Sequence, residues 1–319
     1  MSDAGSQKSM KQDLMPIRSQ SEKHERLFSL INRVDVASLM MAHDKRVLGK
    51  AADVDRVTKE EYGANLIPNL KGLIERMKAF KYIPQPVRRV YIPKGNGKLR
   101  PLGIPAYEDK LVQSVMADIL SDVYEPRFLD CSYGFRPGRS AHDAIRFINQ
   151  QVMFGNFKWV VEADIKGFFD NVDHKILMMF LKHDIGDPNF LRYIARFLKA
   201  GVMEGTELTD SDKGTPQGGL ISPVLANVYL HYALDLWAEK CVKKQASGSV
   251  EYVRYADDFL FLAESEQDAR RILKSLIERL GKFGLEVAAD KTRIVPFDRR
   301  RGTKETFDFL GFTFLSDVG

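Results

Sequence analysis

The chain has 319 residues, 44% hydrophobic and 29% charged, with a formal net charge of +5 and a pI near 9.0. This is enough for one large or two compact globular domains, and the modest positive balance fits a polyanionic partner without establishing one. Two distant cysteines, Cys131 and Cys241, exclude a disulfide framework and a zinc site. There is no signal-peptide run and no stretch of ~18 apolar residues, so a cytoplasmic protein without a membrane association is expected.

In chain order, residues 1–25 are polar and predict a flexible tail. Leu27, Phe28, Ile31, Val34 and Leu39 predict an amphipathic helix over 26–41, and Leu66, Leu70, Leu73, Ile74 and Met77 a second over 66–80. Two β-prone runs within 87–105 flank Lys-Gly-Asn-Gly-Lys, a hairpin signal. A helix follows at 108–124 with a stripe from Leu111 to Val123. Ser140 and Asp143 predict a helix start, although a capping box ordinarily has Glu or Gln at its fourth position. Residues 158–165 predict a strand ending on a carboxylate, and helices follow at 174–183 and from about 222. Residues 250–263 predict a hairpin with two acids at its tip, and 267–283 a helix. Residues 285–297 and 305–315 predict two more strand pairs. Hairpins among irregularly spaced helices predict an α+β fold rather than a doubly wound parallel sheet.

Three aspartates need explanation. Asp164 follows Trp159-Val160-Val161, and Asp257 and Asp258 sit together at a tight turn between apolar strands. A carboxylate at the end of a buried strand is costly unless neutralised, and two adjacent carboxylates repel. A divalent cation resolves both problems, since carboxylate oxygens are the hard ligands Mg²⁺ prefers. Two-metal phosphoryl transfer uses such a site: Asp164 and Asp257 would bridge two ions, and the Ile165 carbonyl would complete one shell. Taken alone, Ala-Asp-Asp at a hairpin tip is an ordinary polar turn.

The surrounding segments change that balance. Tyr-Ala-Asp-Asp at 255–258 resembles the palm signature of reverse transcriptases, and "ADIKGFFDNVDH" at 163–174 resembles their other metal-binding motif. "GTPQGGLISPVLAN" at 214–227, "YGFRPGRSAHDAI" at 133–145, "RPLGIP" at 100–105, "GLEVAADKT" and "FDFLGF" are similar to the bacterial group II intron-encoded branch, in order across 88–315. Retron and diversity-generating enzymes fit less well in the Pro-Gln-Gly-Gly and Arg-Pro-Gly-Arg segments; CRISPR-associated relatives derive from the group II type and stand as an alternative branch.

The resemblance implies right-hand polymerase fingers and palm, with an antiparallel palm sheet backed by helices and the thumb absent. It implies a helical extension over 26–86, fingers over 87–158 and palm over 159–319, with fingers elements interleaved at about 185–215. The implied activity is RNA-directed DNA polymerisation, adding dNTPs to a primer 3′-hydroxyl, in group II intron splicing and retromobility. The alternative is an intron-RNA-binding maturase or splicing chaperone with weak or no polymerisation. An RNA-dependent RNA polymerase is a third reading, and a sugar gate at Phe169 argues against it.

By resemblance, Asp164, Asp257 and Asp258 are the catalytic acids, holding two Mg²⁺ ions with Mn²⁺ as a substitute. Phe169 would exclude a 2′-hydroxyl, with one of Phe168 and Phe169 in the core, because adjacent strand residues face opposite ways. Lys94 and Arg100, and more weakly Lys98, would neutralise the triphosphate. Gln217 would border the incoming nucleotide, where Gly218 and Gly219 allow close backbone approach. Arg136 and Arg139 would meet template phosphates. Tyr255 would contact primer, and Lys291 the primer or triphosphate. Arg299, Arg300 and Arg301 read equally as an RNA contact or a solvated charge run. Implied partners are an RNA template, a DNA or RNA primer and group II intron RNA. A homodimer is compatible with this core but no residue pattern demands one. Without a thumb, poor processivity is expected.

Overall fold

A computed structural model describes residues 25–47, 55, 57–93, 99–204, 207–209, 213–215, 218–300 and 302–316, with backbone alone at Arg100 and 207–209. Lys94, Lys98, Gln217 and Arg301 lie outside the described residues.

Strands β3 (Trp159–Asp164), β6 (Val250–Tyr255), β7 (Asp258–Ala263) and β8 (Arg293–Pro296) form an antiparallel sheet in the order β6-β7-β3-β8. Side chains alternate between the two faces of a strand, and both faces of this sheet are covered. Phe259, Phe261 and Ala263 join the main core; Leu260 and Leu262, between them, join a second one. Burial on both faces explains why β7 reads as an unbroken apolar run once past Asp258. The main face carries helices Ser222–Leu230 and Glu266–Gly281. The other carries helix Ala141–Phe154 and the hairpin of β9 (Phe307–Phe309) and β10 (Phe312–Phe314).

Helix Tyr107–Tyr124 runs through the main core and buries Leu111, Val112, Val115, Met116, Ile119, Leu120 and Val123. Each such side chain contributes about 1.5–3 kcal/mol of burial. Strands β1 (Val87–Pro93) and β2 (Leu99–Ile104) pair as the expected hairpin, Pro93 opposite Leu99. The interleaved segment contributes helix Pro188–Leu198 and β4 (Val202–Glu204), which joins β1 in parallel, with β5 (Glu207–Thr209) beyond it.

The structure corrects two expectations. The helix expected over 26–41 is a 3-10 turn at Leu30–Arg33 and a separate helix Val36–Asp44. Asp35 divides them, because its carboxylate accepts from the Ser38 amide and starts the helix afresh. Residues 285–297 hold β8, the 3-10 turn Ala289–Lys291 and an isolated bridge between Ile165 and Val287, not a strand pair. At Ser140 the capping box closes with an aspartate: the Ser140 amide donates to Asp143 Oδ2 at 2.9 Å, and the Asp143 amide returns a bond to Ser140 Oγ.

Candidate active site

Strand β3 ends on Asp164, β7 begins on Asp258, and the antiparallel register sets the two directly opposite one another. Residues so paired carry Cβ atoms about 4.5–5.5 Å apart, within reach of a shared ion. On the other side of β7, Tyr255 pairs with Asp258, leaving Ala256 and Asp257 as a two-residue hairpin loop. The acids expected to converge from distant sequence therefore occupy one end of the sheet. Asp164 and Asp257 are half-buried and Asp258 is exposed.

Lys291, at the end of the 3-10 turn Ala289–Lys291, places its ammonium on Asp164 Oδ2. This hydrogen bond, with the charges of Asp164 and Asp258, holds the Lys291 pKa above its ordinary value. Lys291, expected at the primer or triphosphate, here forms an ion pair with an acid. As arranged, no group of three His, Cys, Asp or Glu side chains among the described residues closes into a metal cage. Magnesium does not require one, since it is commonly held by one or two carboxylates plus substrate phosphates. The donors here are all oxygens, and Lys291 shows that Asp164 faces a position able to accept a cation; the residues fit the metal. Beside Asp164, the ladder bonds around Ile165 use the carbonyl of Asp164 and the amide of Lys166, so neither engages the Ile165 carbonyl.

Phe168 is buried and Phe169 half-buried, as expected, but they belong to the helical turn Phe168–Asn171 rather than a strand. They diverge because successive residues of a helical turn point about 100° apart. The Thr215 amide donates to the Phe169 carbonyl at 2.7 Å and the Gly214 amide to the Val172 carbonyl at 2.8 Å. A Cβ on Gly214 would meet both the Phe169 and Asp170 carbonyls at 3.1 Å. The backbone of Phe169 is thus held by Gly214 and Thr215. Gly218, at φ 104, stands so close to β2 that a Cβ would lie 2.7 Å from the Gly103 carbonyl. That close approach is to the chain's own hairpin.

Arg136 corrects the expectation of a template contact. It is 7% exposed. Its Nε and Nη2 donate to Glu125, and its Nη1 to the carbonyls of Leu129 and Ser132, both at 2.7 Å. The guanidinium ties the 125–136 loop together. Arg139 likewise binds the Asp130 carbonyl at 2.8 Å and ion-pairs with the Asp130 carboxylate. Tyr255 is half-buried against the second core, with its ring 6.5 Å from that of Phe135. Arg100 lies in β2 opposite Ile92. Arg300 donates to Asn156 Oδ1 at 2.8 Å.

The sequence reading missed two supporting groups. Glu162, which interrupts the apolar run of β3, ion-pairs with Arg293 on β8 and accepts from the Asp308 amide at 2.9 Å, joining the β9–β10 hairpin to the sheet. Arg254 is wholly buried one residue before Tyr255. A charged residue inside an apolar strand was the available signal for both.

The family described as Reverse transcriptase (RNA-dependent DNA polymerase) matches residues 92–314. The chain belongs to the reverse transcriptase family. It is 42% identical over 211 residues to the group II intron-encoded protein LtrA of Lactococcus lactis subsp. cremoris, covering 66% of this chain and 35% of that protein. It is 36% identical over 273 residues to protein YkfC of Escherichia coli (strain K12), covering 76% of this chain and 71% of YkfC. The chain thus spans about a third of the length of LtrA. Among solved structures, the apo telomerase of Candida tropicalis truncated from its C-terminal domain superposes with a TM-score of 0.56 at 13% identity, covering 84% of this chain and 61% of that one. At that identity the likeness is one of fold. It agrees with the α+β fingers-and-palm architecture of this reverse transcriptase family member. No helix among the described residues is long and apolar enough to cross a membrane.

Proposed function

We propose that this chain is the fingers-and-palm core of an RNA-directed DNA polymerase that adds dNTPs to a primer 3′-hydroxyl on an RNA template. The observation that carries this reading is the register that sets Asp164 opposite Asp258 with Asp257 beside it. Asp164 and Asp257 hold the metals, aided by the Ile165 carbonyl, and Asp258 adds charge at the rim. Two Mg²⁺ ions bound there supply activation of the hydroxyl and neutralisation of the triphosphate. Phe169, fixed by Thr215, walls the sugar edge of the nucleotide. By resemblance, Lys94 and Arg100 are assigned to the triphosphate, Gln217 to the incoming nucleotide, and Arg139 and Tyr255 to the nucleic acid. Lys291 holds Asp164 in place as an ion-pair partner.

The test is extension of a primer on RNA with dNTPs, with Asp257→Ala as control. Extension that depends on Asp257 supports the reading; extension that survives its loss refutes it. Similarity to a group II intron-encoded protein supports intron RNA as a second partner in splicing and retromobility. Binding of a group II intron RNA in preference to an unrelated RNA of equal length checks that role.

A further inference from the structure

Arg254 is the largest completely buried side chain among the described residues. Arginine is almost never fully buried unless paired. Its partner is Asp235, also fully buried, on the π-turn His231–Asp235 of the long helix that begins at Ser222. Nε and Nη2 donate to the two Asp235 oxygens at 2.7 and 2.6 Å, and the Tyr252 hydroxyl adds a third bond at 3.1 Å. This two-pronged pairing satisfies the charge and leaves Nη1 to act elsewhere.

Nη1 donates to Asn227 Oδ1 and to the Ala256 carbonyl, both at 2.9 Å. The Asn227 amide in turn donates to the Gly134 carbonyl at 2.8 Å. The Ala256 carbonyl belongs to the peptide plane that leads into Asp257. Because that plane is rigid, fixing the carbonyl fixes the Asp257 N–Cα bond, the stem from which its side chain departs. The loop needs such a hold: Ala256 sits at φ 56, a left-handed conformation that alanine keeps only when its surroundings impose it.

We propose that Arg254 is a positioning residue whose guanidinium, oriented by Asp235 and Asn227, sets the Ala256–Asp257 peptide plane and so aims the Asp257 carboxylate at the divalent cation. The proposal rests on the metal-binding reading of the site given above. A buried pair serving stability alone requires no bond to the loop, and such pairs are often replaceable by apolar packing without loss.

Arg254→Lys keeps the cation but cannot reproduce the planar fork that serves Asp235 and Ala256 together. The experiment measures Mn²⁺ binding to the 319-residue chain by calorimetry, alongside thermal melting and primer–template affinity. The wild type is expected to bind Mn²⁺ and Asp257→Ala to lose that binding. Arg254→Lys should fold and hold primer–template as the wild type does, but bind Mn²⁺ about 10–100-fold more weakly, as groups that orient a metal ligand do when altered. Wild-type Mn²⁺ affinity in folded Arg254→Lys overturns the proposal. Should that variant not fold, Asn227→Ala leaves the Arg254–Asp235 pair intact and removes the Oδ1 that steers Nη1, together with the bond to the Gly134 carbonyl. A folded Asn227→Ala chain with wild-type Mn²⁺ affinity overturns the proposal equally. Mn²⁺ binding indifferent to Asp257→Ala refutes the underlying site and the proposal with it.

Discussion

Gly134 lies directly beneath Ala256: a Cβ on Gly134 would stand 2.4 Å from the Ala256 amide nitrogen and 3.0 Å from the Tyr255 carbonyl carbon. Its φ is ordinary, so the need is for space and not for backbone freedom. The obstructing atoms are backbone, which cannot swing aside as a side chain can. Gly134→Ala should therefore displace the acid-bearing loop or the 131–136 segment. We expect a loss of about 1–3 kcal/mol of stability together with loss of primer extension, read by thermal melting and by extension on RNA. A variant with wild-type melting and extension contradicts the tight contact.

Replacing Phe169 tests the wall against the sugar. Phe169→Ala should relax discrimination between dNTPs and rNTPs by roughly tenfold or more, because the ring acts by occupying the space a 2′-hydroxyl needs. Phe168→Ala should instead destabilise the fold by about 3–5 kcal/mol, as expected for emptying a fully buried aromatic position. The ratio of kcat/KM for the two nucleotide classes, measured for both variants, separates the roles. Equal selectivity in Phe169→Ala and wild type removes the gate assignment.

Arg136→Ala distinguishes an internal tie from a phosphate contact. Five guanidinium bonds to Glu125, Leu129 and Ser132 are lost. Glu125 is about one-third exposed and regains water, so the expected cost is about 1–3 kcal/mol. The salt dependence of RNA binding should be unchanged. A lost phosphate contact would instead reduce the slope of log affinity against log salt by about one.

Asp109 gives the fold a pH dependence. Burial is the main cause that pushes its pKa up to about 6, although the Tyr82 hydroxyl and the Gln85 amide both donate to it. The folded state keeps the proton that the unfolded chain releases near pH 3.8. Stability from this group is therefore greatest below pH 3.8 and falls as pH rises towards 6. Relative to Asp109→Asn, the wild type should lose on the order of 2–3 kcal/mol across that window. Chemical denaturation of both proteins at pH 4 and pH 7 reads the difference. A parallel pH response in the two would show that Asp109 carries no such penalty.

Much of this was legible in one dimension. Two β-prone runs around Ala256-Asp257-Asp258 revealed the β6–β7 hairpin, and Gly-Asn-Gly between β-prone runs revealed β1–β2. The Asp-Asp pair at a hairpin tip and the acid ending β3 announced a site. The misreadings come from a local cap that apolar periodicity hid and from partners that a motif does not name. The run of apolar residues over 26–41 looks helical until Asp35 caps a new helix at Val36. The arginine in Arg-Pro-Gly-Arg resembles a phosphate contact until Glu125 and two carbonyls surround it.

The chain's own order of residues determined the family and the α+β class and pointed to three acids, because motif chemistry, β-prone runs and turn residues are local properties. The tertiary structure alone decided that Asp164 stands opposite Asp258, that Arg136 faces inward, and that Arg254 reaches the carbonyl before Asp257. Strand register and the partners of a buried charge depend on which segments close upon one another, and no stretch of sequence contains that information by itself.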